Sequence, residues 1–217
     1  MFKRKRYQKT QRWFGFNQSL MTVILIGGMV AVSSKDFFYF SNGSGGEDWL
    51  IGKPLIGLFD AHQSRSLAES RALALELVNR DRQLNNLSPL TEDPLLSKAA
   101  QKHAEDMLAR QYYDHITPEG KTPTDRFADL GGQQGVGENI LEITGSIGAT
   151  LNYRLIEESQ KSWMYSPGHR ENLLIPDYQR FGYGIVTNPI TGQVYAVSVQ
   201  DKNLKRIEGE GLIGIRR

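Results

Sequence analysis

The 217-residue chain contains no cysteine, which excludes disulfide bonds, thiolate metal sites and a cysteine nucleophile. This absence does not identify the compartment, because an exported protein with a large enough core folds without disulfides. A strong basic excess is also missing outside the first residues. Residues 1–18 carry six basic and no acidic side chains, whereas the rest carries 20 basic and 24 acidic ones. The main part of the chain therefore lacks the charge typical of a nucleic-acid-binding protein, and no nucleic-acid partner is expected.

Long hydrophobic runs are missing too, apart from one near the N-terminus. Residues 20–32 are 13 uncharged residues, fewer than the roughly 20 that a comfortable membrane span needs. Behind the basic residues 1–19, segment 20–34 predicts either a cleaved signal peptide or an uncleaved membrane anchor. Both alternatives predict an extracytoplasmic protein, which is periplasmic, cell-surface or secreted, or anchored in the inner membrane.

Turn-forming residues dominate the segment that follows. Residues 35–64 contain the sequence SNGSGGED and further glycine and proline residues that interrupt any long helix or strand. This composition predicts a linker. The globular domain is expected over residues 65–205, and residues 206–217 are interpreted as a C-terminal tail.

Helix-capping patterns mark three helix starts in the expected domain. The pairs are Ser66 with Glu69, Asp93 with Pro94, and Thr122 with Pro123. A fourth helix is predicted over residues 147–165. Residues 136–143 predict a strand, and the sequences FGYGIV and QVYAVSVQ on either side of TNPITG predict a β-hairpin. Helices with a few mostly antiparallel strands indicate an α+β layered domain.

Three of the four histidines and one acid are the first candidates for chemistry. His115 lies in a predicted loop, where a histidine is commonly exposed and idle. His103 lies on the apolar stripe of the second predicted helix and is interpreted as a hydrogen-bonded core histidine. Glu138 interrupts an apolar strand. It needs a partner if it is buried, unless the strand lies at an edge and the carboxylate points to water.

His169 follows Ser-Pro-Gly, which is typical of a helix start with Ser166 as the cap and Pro167 at the first helical position. The positive end of a helix dipole disfavours an imidazolium, so this position favours the neutral imidazole that binds a metal or accepts a proton. A short structural helix whose histidine only hydrogen-bonds a carbonyl explains the pattern equally well. No spacing rule links His115, Glu138 and His169 into a site.

Five segments, taken in chain order, resemble those of bacterial CAP-domain proteins of the SCP/PR-1-like superfamily. The segments are LNNLSPLTEDPLLSKAAQKHAEDML, YYDHITPEGKTPTDR, GENI, SWMYSPGHRENLL and FGYGIV. The resemblance covers residues 66–201 and implies a three-layer α-β-α sandwich with a metal-binding cleft. It assigns His115, Glu138 and His169 to that cleft as ligands of a divalent metal, zinc being the first expectation.

The resemblance also implies that Ser166, Asn139 and Arg170 line the cleft. Ser166 stands where many eukaryotic relatives carry a second acid, so one candidate general base is missing. Two imidazoles and one carboxylate are still enough for an open zinc site, and the same set could hold iron as a facial triad.

Three functions are open at this point. The first is an exported or membrane-tethered module that binds a ligand, a lipid, a cell-envelope component or a partner, with a metal in the cleft. The second is a metal-dependent hydrolase acting on peptides or cell-envelope material, with Glu138 as the base. The third is an envelope-tethered structural protein with a vestigial cleft. The missing second acid favours a non-enzymatic role.

Overall fold

A computed structural model describes residues 38–42, 48–53, 55, 62–145 and 147–202 of the chain. The predictions for residues 1–34 and 206–217 lie outside these described residues. No helix that the structure describes combines the length and the hydrophobicity that a bilayer crossing requires.

Five helices and six strands are formed by the described residues. The helices are α1 (Leu67–Leu84), α2 (Pro94–Arg110), α3 (Pro123–Ala128), α4 (Tyr153–Tyr165) and α5 (Pro167–Leu173). The strands are β1 (Phe38–Asn42), β2 (Asp48–Gly52), β3 (Thr91–Glu92), β4 (Gly137–Thr144), β5 (Arg180–Thr187) and β6 (Gln193–Asp201). One sheet has the order β3-β5-β6-β4, with β3 parallel to β5 and the other pairs antiparallel. The predicted hairpin is the pair β5–β6.

The predicted capping patterns are confirmed. Ser66 and Glu69 form a complete capping box at α1, and Asp93 accepts hydrogen bonds from two backbone N–H groups at the start of α2. Thr122 forms a second capping box with Asp125 at α3. These caps satisfy N–H groups that have no partner inside their helices, so they locate the helix starts from local sequence alone.

The fourth helix begins later than predicted. It starts at Tyr153 instead of 147, because the Asn152 side chain accepts a hydrogen bond from Leu155 N and caps it there. Gly148 adopts a left-handed φ of 86°, which is incompatible with a continuous helix from residue 147.

Large and small residues alternate along β5 and create two different faces. Phe181, Tyr183 and Ile185 are buried in the core shared with α1 and α4. Gly184 faces α2, and a Cβ atom there would lie 2.3 Å from Gln101 N, so glycine lets the helix lie directly on the strand. Helices thus cover both faces of the sheet, and the predicted α-β-α sandwich is confirmed.

Part of the predicted linker folds onto the domain. Strands β1 and β2 pair antiparallel, and Trp49 and Ile51 of β2 are buried in the α1–α4 core. Gly52 N also donates to the Asp81 carboxylate of α1 at 2.9 Å. The linker interpretation is therefore wrong for these residues. The neighbouring glycines made this segment look like a linker, but it contains a strand that is stabilised by backbone pairing and by burial of two large side chains.

Candidate functional site

Glu138 lies on the edge strand β4, but its carboxylate is only 2% exposed. Its Oε2 accepts a hydrogen bond from Arg126 Nη2 at 2.5 Å, and its Oε1 accepts one from His115 Nδ1 at 2.9 Å. Side chains from α3 and from the loop before it therefore cover this end of the strand. The alternative in which Glu138 points to water is wrong, although the strand does lie at an edge.

His115 lies in the loop between α2 and α3, and its side chain is 45% exposed. Because a carboxylate only accepts, the contact with Glu138 places the proton of the neutral ring on Nδ1. The lone pair is then on Nε2. A buried carboxylate that orients an exposed imidazole in this way is typical of the second shell of metal sites.

His103 is fully buried and lies beside the same carboxylate. Its Nε2 lies 3.1 Å from Asp114 O and 3.8 Å from Glu138 Oε1. Burial lowers the pKa of His103, which favours the neutral ring. The interpretation as a hydrogen-bonded core histidine is confirmed, but its position next to Glu138 was not predicted.

His169 is half-buried at the third position of α5, and its Nδ1 lies 2.9 Å from Ser166 Oγ. Burial lowers the pKa of His169, and the charge of His115 lowers it further. The predicted neutral imidazole is thus supported, but by burial instead of the helix dipole. A hydrogen bond from Asn139, the residue after Glu138, to His169 O holds this part of α5 against β4.

Ser166 has a different role from the predicted cap. Its backbone precedes α5 as expected, with Pro167 at the first position, but its side chain makes no capping hydrogen bond. The hydroxyl contacts the His169 ring instead. Ser166 therefore lies beside a candidate metal ligand and orients that histidine.

Asn139 and Arg170 make their contacts away from the two candidate histidine rings. Asn139 is buried and donates to His169 O at 3.1 Å, so it supports the backbone of α5 from below instead of lining an open cleft. The Arg170 guanidinium lies 4.3 Å from the ring centroid of Trp49 and donates to Met164 O. Adjacent residues of a helix point in different directions, and Arg170 points towards the β1–β2 hairpin, whereas His169 does not.

Arg126 contacts two of the candidate site residues and was not predicted from the sequence. It donates to Glu138 and also, through Nη1, to His115 O at 2.7 Å. The sequence did indicate that Glu138 needs a partner, because a carboxylate in an apolar strand requires a cationic or hydrogen-bonding group when it is buried. Nothing in the spacing of Arg126 and Glu138 identified which residue would supply it.

The described residues contain no group of three or more histidine, cysteine, aspartate or glutamate side chains arranged to hold a metal ion. Both oxygens of Glu138 are already engaged, by Arg126 and His115. Of the three predicted ligands, His115 and His169 are therefore the two that each keep a ring nitrogen, Nε2, outside the contacts with Glu138 and Ser166. The assignment of metal ligands stays a prediction.

The candidate cleft residues all lie in a region that matches a known family. The family model of CAP, described as the Cysteine-rich secretory protein family, matches residues 75–200. This region is more than half of the chain and contains every candidate cleft residue, so the chain belongs to the CAP family.

Two Bacillus subtilis (strain 168) proteins are similar over 113 residues each. "Uncharacterized protein YkwD" is 36% identical over 52% of this chain and 40% of that protein. "Uncharacterized membrane protein YlbC" is 31% identical over 51% of this chain and 30% of that protein. The matching region thus spans less than half of the length of these relatives.

A solved structure shares the fold. An outer surface protein from Borrelia burgdorferi is 19% identical, with a TM-score of 0.52, over 65% of this chain and 98% of that one. At this level of identity the likeness concerns the fold alone.

Proposed function

We propose that the chain is an extracytoplasmic CAP-domain module that acts by binding, and that its cleft holds a divalent metal ion, zinc first, on His115 and His169. The observation that carries this proposal is the buried carboxylate of Glu138, which accepts from Nδ1 of the partly exposed His115 and so leaves the lone pair on Nε2 for a metal. Neutral imidazole nitrogens are common zinc ligands.

The residues fit zinc only in part. His115 and His169 supply two nitrogen donors, and Glu138 orients His115 without being free to coordinate. Zinc bound there would supply a Lewis acid for a donor atom of a bound ligand. Water or a ligand would have to complete the coordination, which suits a binding site that is open on one side.

A binding role is favoured over hydrolysis by the state of the candidate bases. Glu138 is paired with Arg126, which leaves it poorly placed to take a proton from water. Ser166 contacts His169 through Nδ1, and among the described residues no carboxylate hydrogen-bonds that histidine. The contact therefore lacks the orienting acid of a nucleophilic serine site.

The location and the partner are proposed on other grounds. The basic and apolar residues 1–34, which lie outside the described residues, support export with or without a membrane anchor. A lipid or another cell-envelope component is the proposed class of ligand. The mildly acidic balance of residues 19–217 argues against nucleic acid.

Isothermal titration of the full chain with zinc tests the metal site. We expect one zinc per chain, with binding weakened at least about tenfold in His115→Ala and in His169→Ala, because each removes one of two protein ligands. His62→Ala is the matched control, since His62 is exposed and contacts Arg154.

Two results would overturn the proposal. Absence of zinc binding, or an equal loss in His62→Ala, would remove the cleft as the metal site. Cleavage of peptides or murein by the zinc-loaded chain, abolished in Glu138→Gln, would replace the binding role by the hydrolase role.

A further inference from the structure

Ile147 and Ile190 are exposed aliphatic side chains on neighbouring loops at one end of the sheet. Ile147, between β4 and α4, is 84% exposed, and Ile190, in the turn between β5 and β6, is 79% exposed. A single exposed aliphatic side chain is ordinary, but two on adjoining loops form an apolar surface of the kind that meets a partner. We call the two residues together the isoleucine tip.

Backbone hydrogen bonds hold the two loops against each other. Gly145 N donates to Gly192 O and Gly148 N donates to Pro189 O, each at 2.7 Å. A Cβ atom at position 145 would lie 3.1 Å from Gly192 O, so glycine allows the close approach. The two bonds bracket the isoleucine of each loop, so the tip is one surface and not two independent loops.

The sequence of both loops is free of charge. Residues 143–153 and 181–200 contain no lysine, arginine, aspartate, glutamate or histidine. Charged groups are the most costly to move into hydrocarbon, whereas the burial of aliphatic ones is favourable. Tyr153, at the start of α4, is half-buried and has the Arg65 guanidinium 4.5 Å from its ring centroid. An apolar tip accompanied by a tyrosine and an arginine is typical of a surface that enters a membrane interface.

The first residue of β1 lies at the end of the hairpin that is nearer to the tip. Trp49 contacts Tyr165 at the end of α4, and Ser64 forms a β-bridge with Asn152, the cap at the start of α4. Between β2 and Ser64 the chain therefore advances from the end of α4 to its start, which follows the loop of Ile147. Because β1 is antiparallel to β2, the chain enters β1 from that same end.

Residues 35–37 are the whole connection between segment 20–34 and β1. An extended chain advances at most about 3.6 Å per residue, so this connection reaches no further than about 14 Å. We propose that the isoleucine tip inserts into the lipid surface of the bilayer in which segment 20–34 is an uncleaved anchor. The candidate cleft, whose Glu138 lies at the opposite end of β4, then faces away from the lipid.

The tip suits lipid better than a protein partner. Protein interfaces typically bury about 800 Å² on each side and centre on tryptophan, tyrosine or arginine, which two aliphatic side chains do not provide. Stable membrane attachment needs two signals, and the covalent link to an anchored segment makes insertion of a weak second one an intramolecular step. Arg65 pairs with Glu69, and Arg154 pairs with Glu158. Because these charges near the start of α4 are paired, insertion needs no anionic lipid.

Fluorescence quenching in lipid vesicles tests the insertion. The full chain is reconstituted in phosphatidylcholine vesicles. Because it contains no natural cysteine, Thr191→Cys gives one site for an environment-sensitive fluorophore beside the intact tip. We expect lipids that carry a nitroxide on the acyl chain to quench this label. Ile147→Ser and Ile190→Ser should each lower the ratio of inserted to free tip at least about tenfold, because each loses the burial of one aliphatic side chain.

Ile116→Ser in the same labelled chain is the matched control. Ile116 is also an exposed isoleucine, at 41%, but it lies next to His115 of the candidate cleft. Its replacement should leave the quenching unchanged. A label at Asp177→Cys, which lies at the opposite end of β5 from the tip and is 69% exposed, should not be quenched. Circular dichroism verifies that each variant is folded, as expected for replacements on the surface.

Three results would overturn the inference. The first is no quenching at Thr191→Cys, or equal quenching after both isoleucines are replaced. The second is insertion that occurs only with phosphatidylserine and is lost at high salt, which would assign it to charge. The third is self-association in detergent that both serine variants abolish, which would make a second copy of the chain the partner. The proposed metal site would stand in all three cases, because zinc titration measures it separately.

Discussion

Asp81 and Glu138 are carboxylates that are each buried beside an arginine, and their surroundings differ. Asp81 on α1 accepts hydrogen bonds from Gly52 N at 2.9 Å, Arg80 Nε at 2.8 Å and Gln160 Nε2 at 2.8 Å. These donors keep their protons throughout the physiological pH range. The Asp81 cluster therefore joins the β1–β2 hairpin to α1 and α4, and its donors neither exchange a proton near neutral pH nor bind a cation.

The Glu138 cluster has a similar arginine contact but adds imidazole rings. His115 is 45% exposed, and the second candidate ligand, His169, lies on α5, which Asn139 of β4 hydrogen-bonds. An exposed imidazole can exchange its water contacts for a metal or a ligand, whereas a buried amide cannot. The comparison teaches that a buried, paired carboxylate is not by itself a sign of function, and that the groups around it decide which chemistry is open to it.

The largest loss of stability is expected when a buried side chain is removed from the β1–β2 hairpin. Trp49 is 5% exposed in the core, and Trp49→Ala should lower the free energy of unfolding by about 4 kcal/mol through the cavity it leaves. Urea unfolding measures the loss. Zinc affinity should not change, because Arg170, which stacks on Trp49, points away from the cleft. A parallel loss of zinc binding would show that the two regions are coupled.

Asp81→Asn should cost about 3 kcal/mol of unfolding free energy. The substitution leaves Arg80 without its charged partner and turns one amide donor of the new side chain towards existing donors. Zinc titration of the variant should match wild type within error. A change in zinc affinity would mean that the Asp81 cluster is not purely structural.

Glu138→Gln is the matched change in the other cluster. We expect a smaller loss of about 2 kcal/mol, because the amide oxygen still accepts from Arg126. Zinc affinity should fall about tenfold, since His115 loses the carboxylate that orients it. Equal zinc binding by wild type and this variant would contradict the orienting role.

His115→Ala should change the unfolding free energy by less than about 1 kcal/mol, because nearly half of the side chain is exposed. Its effect on zinc is expected to be large by comparison. A chemical denaturation curve that shifts as much as that of Asp81→Asn would instead give His115 a structural role.

The smallest effect concerns pH. Burial raises the pKa of Asp81 above its ordinary value, despite Arg80 and the hydrogen bonds that oppose it. The folded chain therefore binds this proton more readily than the unfolded chain, so protonation of Asp81 favours folding as the pH falls from neutral towards about 4. The stability of wild type relative to Asp81→Asn should rise over that interval. A constant or shrinking difference in urea unfolding at several pH values would argue against a raised pKa.

Local features of the fold were predictable from the sequence. Ser66, Asp93 and Thr122 indicate helix starts because a cap contacts N–H groups two or three residues ahead. The FGYGIV pattern predicts a strand for a similar reason, since its alternation repeats every second residue. Such interactions need no knowledge of distant residues.

The hairpin was missed because its stability is not local. Trp49 and Ile51 gain a buried position only when α1 and α4 are already in place. A short two-stranded hairpin has little stability alone in water. Its sequence therefore resembles a linker until the rest of the domain is known.

Part of the candidate cleft was predictable from the sequence, and part became known only from the structure. Family resemblance identified His115, Glu138 and His169, although their spacing follows no local rule. The resemblance did not predict that Arg126 engages the carboxylate, or that Arg170 turns away from the cleft towards Trp49.

By itself, the sequence determined where most of the helices and strands lie, which family the chain resembles and which histidines are candidates for a site. Only the tertiary structure decided which donor contacts each carboxylate oxygen of Glu138. The reason is physical: the cost of burying Glu138 must be offset by whichever donor the fold brings within about 3 Å, and that donor is selected by the packing of α3 against the edge of the sheet.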